Sequence, residues 1–535
     1  MKKYIFSLAV VLAFWGCADK GVKAPKSEKT AEFSLKILHT NDTHAYLAGI
    51  DKNGNASYDE STSRGGHARI AQAINEIKAK NDNVIALDAG DQFQGTLYYS
   101  VNKYKIIADI QKHMPWQATT FGNHEFDENC AGLKEFMKIS TTPVLAANLV
   151  IEPSSELHGI AYTPYKIIEI KGQKVGIIGI ANDEVKEIAK TCDGMDFTDA
   201  RQTLQKYADE LSAKGVKYII ALTHIGLSRD KELAGAVNNV DIIVEAHSHS
   251  YLGKGSAEGE YPLAFKAPNG KPVLVVTAKF ATQYLGELDA VFDSEGVLKS
   301  WSGEAKELEN SIKTEPKISK IIKDNTAALN EFRKKIIGTH SVEMSDGMDE
   351  CRKGECFGGL LASDAMLEFG APLGVEIALT NGGGIRSGMP KGQISRGDIL
   401  TVHPFGGLFV FRAYSGEQIL AALEHGVSGE NAQGPRLLQP AGLKYYINAK
   451  NPVGKRVIKA LVVDSSGKEW PLDPKARYKV ILSDYMANGG DDYSMLKNGE
   501  KVPSPDPIIT DLIEEYITKH SPITDIKRGR INFVD

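Results

Sequence analysis

Residues 121–127 of the chain read FGNHEFD, an amide, an imidazole and two carboxylates in one short stretch. Other stretches carry the same kinds of side chain: Asp42 and His44 in NDTH, Asp88 and Asp91 in DAGDQ, His224 in THIG, and His247 and His249 in AHSHS. A lone His at a strand end is more often a hydrogen-bonded structural residue, and a lone Asp there is more often a helix cap or turn former. The whole ordered set reads instead as metal-ligand chemistry. Side chains alternate along an extended segment, so the first and third residues of D-x-H and H-x-H reach one site. Mixed Asp, His and Asn donors suit borderline and hard divalent ions such as zinc, manganese, cobalt or magnesium. A carboxylate such as Asp91 can bridge two ions. Two ions roughly 3.5–4 Å apart fit hydrolysis of a phosphate ester, because they polarise its oxygens and generate hydroxide near neutral pH.

These residues need elements to position them. SLKILHT, NVIALDAGD, PVLAAN, KVGIIGI, VKYIIALTHIG and VDIIVEAHSH read as buried strands. HARIAQAINEIKAK and TDARQTLQKYADELSAKG read as helices between them, and this alternation predicts a layered α/β domain. Each strand runs into polar residues at its carboxyl end, where sites in open α/β sheets gather. KTEPKISKIIKDNTAALNEFRKKI is polar and helical and reads as a connector. A second domain follows, with segments such as VEIALT, GLFVFRAY and GEQILAALEHGV.

The chain has 535 residues, enough for at least two domains. Its net charge of −5 gives no electrostatic case for a nucleic-acid polymer as partner. Met1-Lys2-Lys3 and the apolar run Tyr4 to Trp15 form an export-type leader, too short to span a bilayer as a finished helix. It ends at Gly16-Cys17, like a bacterial lipoprotein signal with Cys17 lipidated. An ordinary secretory signal or an uncleaved anchor is the alternative. The expected location is outside the cytoplasm, in the periplasm or cell envelope, with a lipid anchor as the only membrane attachment. Export permits disulfides. Cys351 and Cys356 close the small loop CRKGEC, and Cys130 with Cys192 is a pairing left only by elimination.

The order D-x-H, G-D, G-N-H-E, a lone H, then H-x-H resembles the calcineurin-like metallophosphoesterases. NGGGIR, HPFGG, GPRLLQPAGLKYY and NGGDDY follow in the order seen in the C-terminal domain of secreted bacterial 5′-nucleotidases. The resemblance implies a four-layer sandwich of two sheets flanked by helices, joined by a helix to a smaller α/β substrate domain. The expected boundaries are a signal over 1–17, a flexible tether over 18–32, the metallophosphoesterase domain over 33–310, the linker helix over 311–336 and the substrate domain over 337–535. Carried over by position, one ion takes Asp42, His44, Asp91 and His249, and the other takes Asp91, Asn123, His224 and His247. Ala246 departs from the family's Gly and adds a methyl near the second ion. His124 is left to meet the substrate, oriented by Asp127, and Glu125 has a supporting role. In the second domain the resemblance assigns base stacking to Phe405 and Tyr493, and phosphate contact to Arg352 and Arg386. Asn381 and Gly383 fall at base or ribose contacts, and Asn498 stands where relatives have Asp for the ribose.

The implied reaction is hydrolysis of nucleoside 5′-monophosphates to nucleoside and phosphate by metal-bound hydroxide, serving salvage of external nucleotides. The C-terminal domain is expected to rotate about the linker. Two enzymatic rivals share the scaffold: a 2′,3′-cyclic-nucleotide phosphodiesterase with 3′-nucleotidase activity, and a pyrophosphatase acting on NAD or UDP-sugars. YPLAFKAPNGKPV resembles inserts of the NAD-degrading members. A non-enzymatic nucleotide-binding lipoprotein is the rival from another class.

Overall fold

The computed structural model describes residues 32–534 apart from 53, 55, 184, 186–191, 257, 345, 346, 348, 404–407 and 506. Cys17 and Phe405 therefore lie outside the described residues.

The predicted strands form two sheets in the first domain. One runs in the order Leu298–Glu307, Tyr284–Phe292, Phe33–Thr40, Val84–Asp88, Ala118–Thr119, Val144–Leu145, Tyr162–Thr163. The other runs Leu263–Lys266, Pro272–Val276, Ile242–Val244, Tyr218–Thr223, Gln173–Ile180, Tyr165–Ile170. The central pairs of both are parallel; antiparallel hairpins close both edges of the second sheet and one edge of the first, whose other edge strand, Tyr162–Thr163, pairs parallel. YPLAFKAPNGKPV supplies one such edge hairpin in the second sheet. Strands such as VIALD and YIIALT are buried along their whole length because both faces are covered. Ile37, Ile85 and Leu87 of one sheet pack with Ile177, Ile220, Val244 and Leu274 of the other. Helix His67–Lys78 contributes to an outer core with the first sheet, and helix Ala200–Ala213 to one with the second. The layers are therefore helix, sheet, sheet, helix.

The connector forms the helix Pro316–Arg333, shorter at both ends than the expected 311–336. Glu315 caps it by accepting from the Ile318 N–H, and Pro316 stands at the first turn, where its missing N–H costs nothing. Ile318, Ile322 and Leu329 bury themselves in the first domain's outer core. Beyond it, a five-stranded sheet runs Leu438–Ala441, Ile377–Asn381, Arg477–Ser483, Phe409–Ser415, Glu500–Lys501. Helix Phe357–Gly370 packs in one core of this domain and helix Gly416–Gly426 in another. Disulfides join Cys130 to Cys192 and Cys351 to Cys356.

Asp241 accepts from the Ile219 N–H at 2.8 Å and so ties two strands of the second sheet. Burial pushes its carboxyl from 3.8 up to about 7. A raised folded pKa means that the stabilising protonated form is lost as pH climbs from about 4 through 7. Asp241→Asn, which keeps an acceptor without the charge, should gain melting temperature over the parent as pH rises from 5 to 8. Thermal melts check this, and an equal difference at both pH values would contradict it.

Candidate metal centre and substrate cleft

The ligand-type residues follow directly after strands of both sheets, so the fold gathers them along one edge of the sandwich. Asp42 and His44 follow Phe33–Thr40, Asp91 follows Val84–Asp88, Asn123 follows Ala118–Thr119, His224 follows Tyr218–Thr223, and His247 and His249 follow Ile242–Val244. All except His247 and His249, which are partly exposed, are buried. Donor atoms of Asp42, His44 and His249 lie within 4.8 Å of one another, as do those of Asp91, His224 and His247, and those of His44, Asp91 and His124.

The backbone that holds them is strained. Asp42, His44, Asp91, His247 and His249 have φ of 48°, 45°, 53°, 85° and 55°. Left-handed backbone in non-glycine residues costs on the order of 1–3 kcal/mol each and persists where surrounding structure over-determines it. Glu125 is part of that structure. Its buried carboxylate accepts from the N–H groups of Asp91 at 3.1 Å, Gln92 at 2.7 Å and Gly122 at 2.7 Å. It thereby stitches the DAGDQ loop to the FGNHE loop. Asp91 completes the seam by accepting from the His124 N–H at 2.9 Å.

Hydrogen bonds to main-chain carbonyls decide what the imidazoles present to the centre. His44 Nδ1 donates to the Phe93 carbonyl at 3.0 Å, and His224 Nδ1 donates to the Ala89 carbonyl at 2.6 Å. In the neutral rings each Nε2 is then a lone pair. His44 Nε2 faces His249 Nε2 at 2.9 Å, and His224 Nε2 faces the Asp91 carboxylate at 3.0 Å. The first contact is a hydrogen bond when His249 carries its proton on Nε2, whereas a His224 lone pair against the Asp91 carboxylate repels unless positive charge stands between them. The same demand appears in the titration of His224: burial alone would lower it, but Asp91 and Asp42 raise it to about 10. Burial raises Asp42 to about 7, while His224, with His124 and His44, overcomes burial at Asp91 and holds it well below the usual carboxylate range. A divalent ion satisfies this donor set, and imidazoles oriented by carbonyls are the usual outer support of such ions. His124 Nδ1 lies 2.7 Å from Asp127 Oδ2, which accepts its proton.

Ala246, directly before the H-x-H pair, is fully buried and packs its methyl into the core between the two sheets.

Two cavities lie between the domains. One, of about 570 Å³, is lined by Asp91, Asn123, His124, His247 and His249 with Arg412, Asp484 and Lys501 opposite. The other, of about 730 Å³, has Tyr46, His249 and Phe280 on one wall and Asn381, Gly383, Arg386, His403 and Tyr485 on the other. Arg352 and Asn498 line neither. Tyr493 requires a correction. Its ring is fully buried in the second domain's core, edge-on to His425, and its hydroxyl donates to the Arg436 carbonyl. It offers no face to a base. Among the described residues, Tyr485 is an exposed ring lining the cleft, 55% accessible. Its hydroxyl donates to Asp491 Oδ1 at 2.9 Å and accepts from the Asp491 N–H at 3.1 Å. A β-carbon on Gly490 would lie 2.5 Å from three atoms of that ring, so the ring lies flat on the glycine. Asp491 Oδ2 also accepts from Asn381 Nδ2 at 2.8 Å. Tyr485 precedes the NGGDDY motif and Tyr493 ends it, and nothing in their spacing tells which one packs inward.

Comparison with known proteins agrees with this architecture. The calcineurin-like phosphoesterase model matches residues 35–251, and the 5′-nucleotidase C-terminal domain model matches residues 336–498. Snake venom 5′-nucleotidase of Gloydius brevicauda is 32% identical, over 98% of this chain and 92% of its own length. Human 5′-nucleotidase is 32% identical, over 94% of this chain and 91% of its own. The chain belongs to the 5′-nucleotidase family. The solved structure of a 5′-nucleotidase precursor from Thermus thermophilus matches with 33% identity and a TM-score of 0.60, covering 94% of this chain and all of that one. The NAD nucleotidase of Haemophilus influenzae shares the fold at 24% identity, with a TM-score of 0.74 over 94% of this chain and all of that one. Within this 5′-nucleotidase-family chain the His and Asp clusters at the sandwich edge are suited to divalent metal.

A β-carbon at Gly122 would clash with Asp91 Oδ1. Gly122→Ala should therefore fold, by circular dichroism, yet take up much less divalent ion than the parent in equilibrium dialysis. Uptake equal to the parent would show that Asp91 is not held against this turn.

Proposed function

We propose that this chain is an extracytoplasmic two-metal phosphohydrolase that converts nucleoside 5′-monophosphates to nucleoside and phosphate. The observation that carries the reading is the tautomer-fixed set of imidazole lone pairs converging on Asp42 and Asp91 beside a cleft with a nucleotide-sized cavity. Asp42, His44, Asp91 and His249 would hold one ion, and Asp91, Asn123, His224 and His247 the other. Divalent zinc, manganese, cobalt or magnesium there would supply Lewis acidity toward phosphoryl oxygens and activate water near neutral pH.

The other roles belong to the chain itself. Asp127 accepts the Nδ1 proton of His124 and so holds its ring in orientation. His124 can then bind developing phosphoryl charge and return a proton to the leaving oxygen. Arg386, on the cleft wall, has a guanidinium fork suited to phosphate. Asn381 and Gly383 offer polar contact to base or ribose. Tyr485, with its hydroxyl clamped and one face on Gly490, is a platform on which a flat base can stack. Two disulfides and the leader ending at Cys17 support a location in the periplasm or cell envelope with a lipid anchor. External nucleotides, too charged to cross membranes, would be salvaged there.

The test is phosphate release by the protein without its leader from AMP, UMP, NAD, UDP-glucose, 2′,3′-cyclic AMP and 3′-AMP, each with manganese, zinc or chelator. AMP and UMP should release phosphate only with metal. Turnover of the cyclic nucleotide or 3′-AMP with none of AMP would overturn the assignment. His124→Ala should lower kcat for AMP by roughly 10²-fold or more, as loss of a general acid does, with metal content unchanged. Inductively coupled plasma analysis of the same samples checks the second half.

A further inference from the structure

Phe280 is tied to the metal centre in a way that no part of the proposed mechanism uses. It sits in the turn that leaves strand Pro272–Val276 of one sheet and enters Tyr284–Phe292 of the other. Three of its neighbours, Lys279, Ala281 and Thr282, carry β-carbons yet have φ of 60°, 65° and 63°. Strain of this kind marks a conformation that its surroundings impose. The turn is fastened on both sides to loops that bear candidate ligands. Ala278 N–H donates to Asn41 Oδ1 at 2.8 Å and Ala281 N–H to the Asp42 carbonyl at 3.0 Å. Lys279 N–H donates to the Ser250 carbonyl at 2.9 Å, one residue beyond His249.

The strained turn delivers a ring onto a ring. Phe280 stacks on the His249 imidazole with centroids 4.7 Å apart and planes 12° from parallel. Tyr46 meets Phe280 edge-on at 6.1 Å and 86°. His249 has a particular need of such support. The Nδ1 atoms of His44 and His224 are each oriented by a main-chain carbonyl, whereas among the described residues His249 has no such partner. Its side chain is also 15% accessible, against 3% for His44 and 0% for His224. A flat apolar ring does two things here. It fixes the plane of the imidazole, and it removes cleft water from one of its faces.

We propose that Phe280 is the positioning residue for the ion that His249 would share with Asp42 and His44, replacing by stacking the carbonyl contact that His44 and His224 have. The inference rests on the metal-dependent reading of the centre. Support around a ligand is worth roughly 10–100-fold in metal affinity.

The test uses metal-free full-length protein without its leader. Isothermal titration with manganese or zinc should show Phe280→Ala binding one ion about 10–100-fold more weakly, with the other ion held as in the parent. Phe280→Tyr and Phe280→Trp, which keep a flat face, should recover most of that affinity. Phe280→Leu, apolar but not flat, should not. In the metal-free protein the ring protons of His249 should show an upfield ring-current shift in NMR spectra that Phe280→Ala removes. Parent-like affinity for both ions in Phe280→Ala, equal weakening of both, or absence of the ring-current shift would overturn the proposal. Failure of the parent to bind any divalent ion while the ring-current shift is present would overturn the reading of the centre instead.

Discussion

Two buried carboxylates, Asp42 and Asp91, sit among imidazoles whose Nε2 atoms are aimed at them, and the rest of the structure follows from that arrangement. Burying charge without compensation is expensive, and a protein tolerates it where a cation or a dense hydrogen-bond network answers it. Both answers are visible here. Asp42 accepts from the His247 N–H and from Asn41, and Asp91 accepts from the His124 N–H. Glu125 braces the loops behind them through three main-chain donors. What remains unanswered inside the cluster is positive charge, which is the property that divalent ions bring.

The strained backbone has the same origin. Ligand atoms must converge from loops that follow strands of two different sheets, and regular geometry cannot bring them all inward. Left-handed residues turn the chain sharply after Phe33–Thr40, Val84–Asp88 and Ile242–Val244, and the sandwich behind them supplies the stability that such turns consume. The second domain faces this edge rather than another. The connector helix is packed into the first domain's core through Ile318, Ile322 and Leu329, so the domain that follows starts from a fixed base. Arg396 stacks its guanidinium 3.6 Å from the Phe332 ring centroid at the far end of that helix and pairs with Glu514, carrying the rigidity across the junction.

Much of the layered fold and the clustering of the candidate ligands is legible in the sequence because both rest on short-range rules. A buried parallel strand is a run of Val, Ile and Leu, and its polar follower marks the carboxyl end where sites form. NDTH, DAGDQ, GNHE, THIG and AHSHS can thus be read together from spacing and order alone. The cleft is less legible because long-range packing sets it. Tyr493 and Tyr485 differ in sequence by little, yet one fills the core and the other lies open on Gly490. Phe280 gave no sign of contact with His249, since residues 31 apart in sequence meet only through a strained turn. The same holds for Cys130 and Cys192, whose separation of 62 residues leaves their pairing to the fold.

Catalysis should require ions held by the Asp42 and Asp91 clusters. A titration of metal-free protein with manganese, following phosphate release from AMP and bound ion per chain together, tests this. No phosphate should be released without metal, and full activity should come only as the second ion binds, with Asp91→Asn losing both uptake and turnover. Undiminished hydrolysis of AMP by protein shown to contain no divalent ion would contradict it.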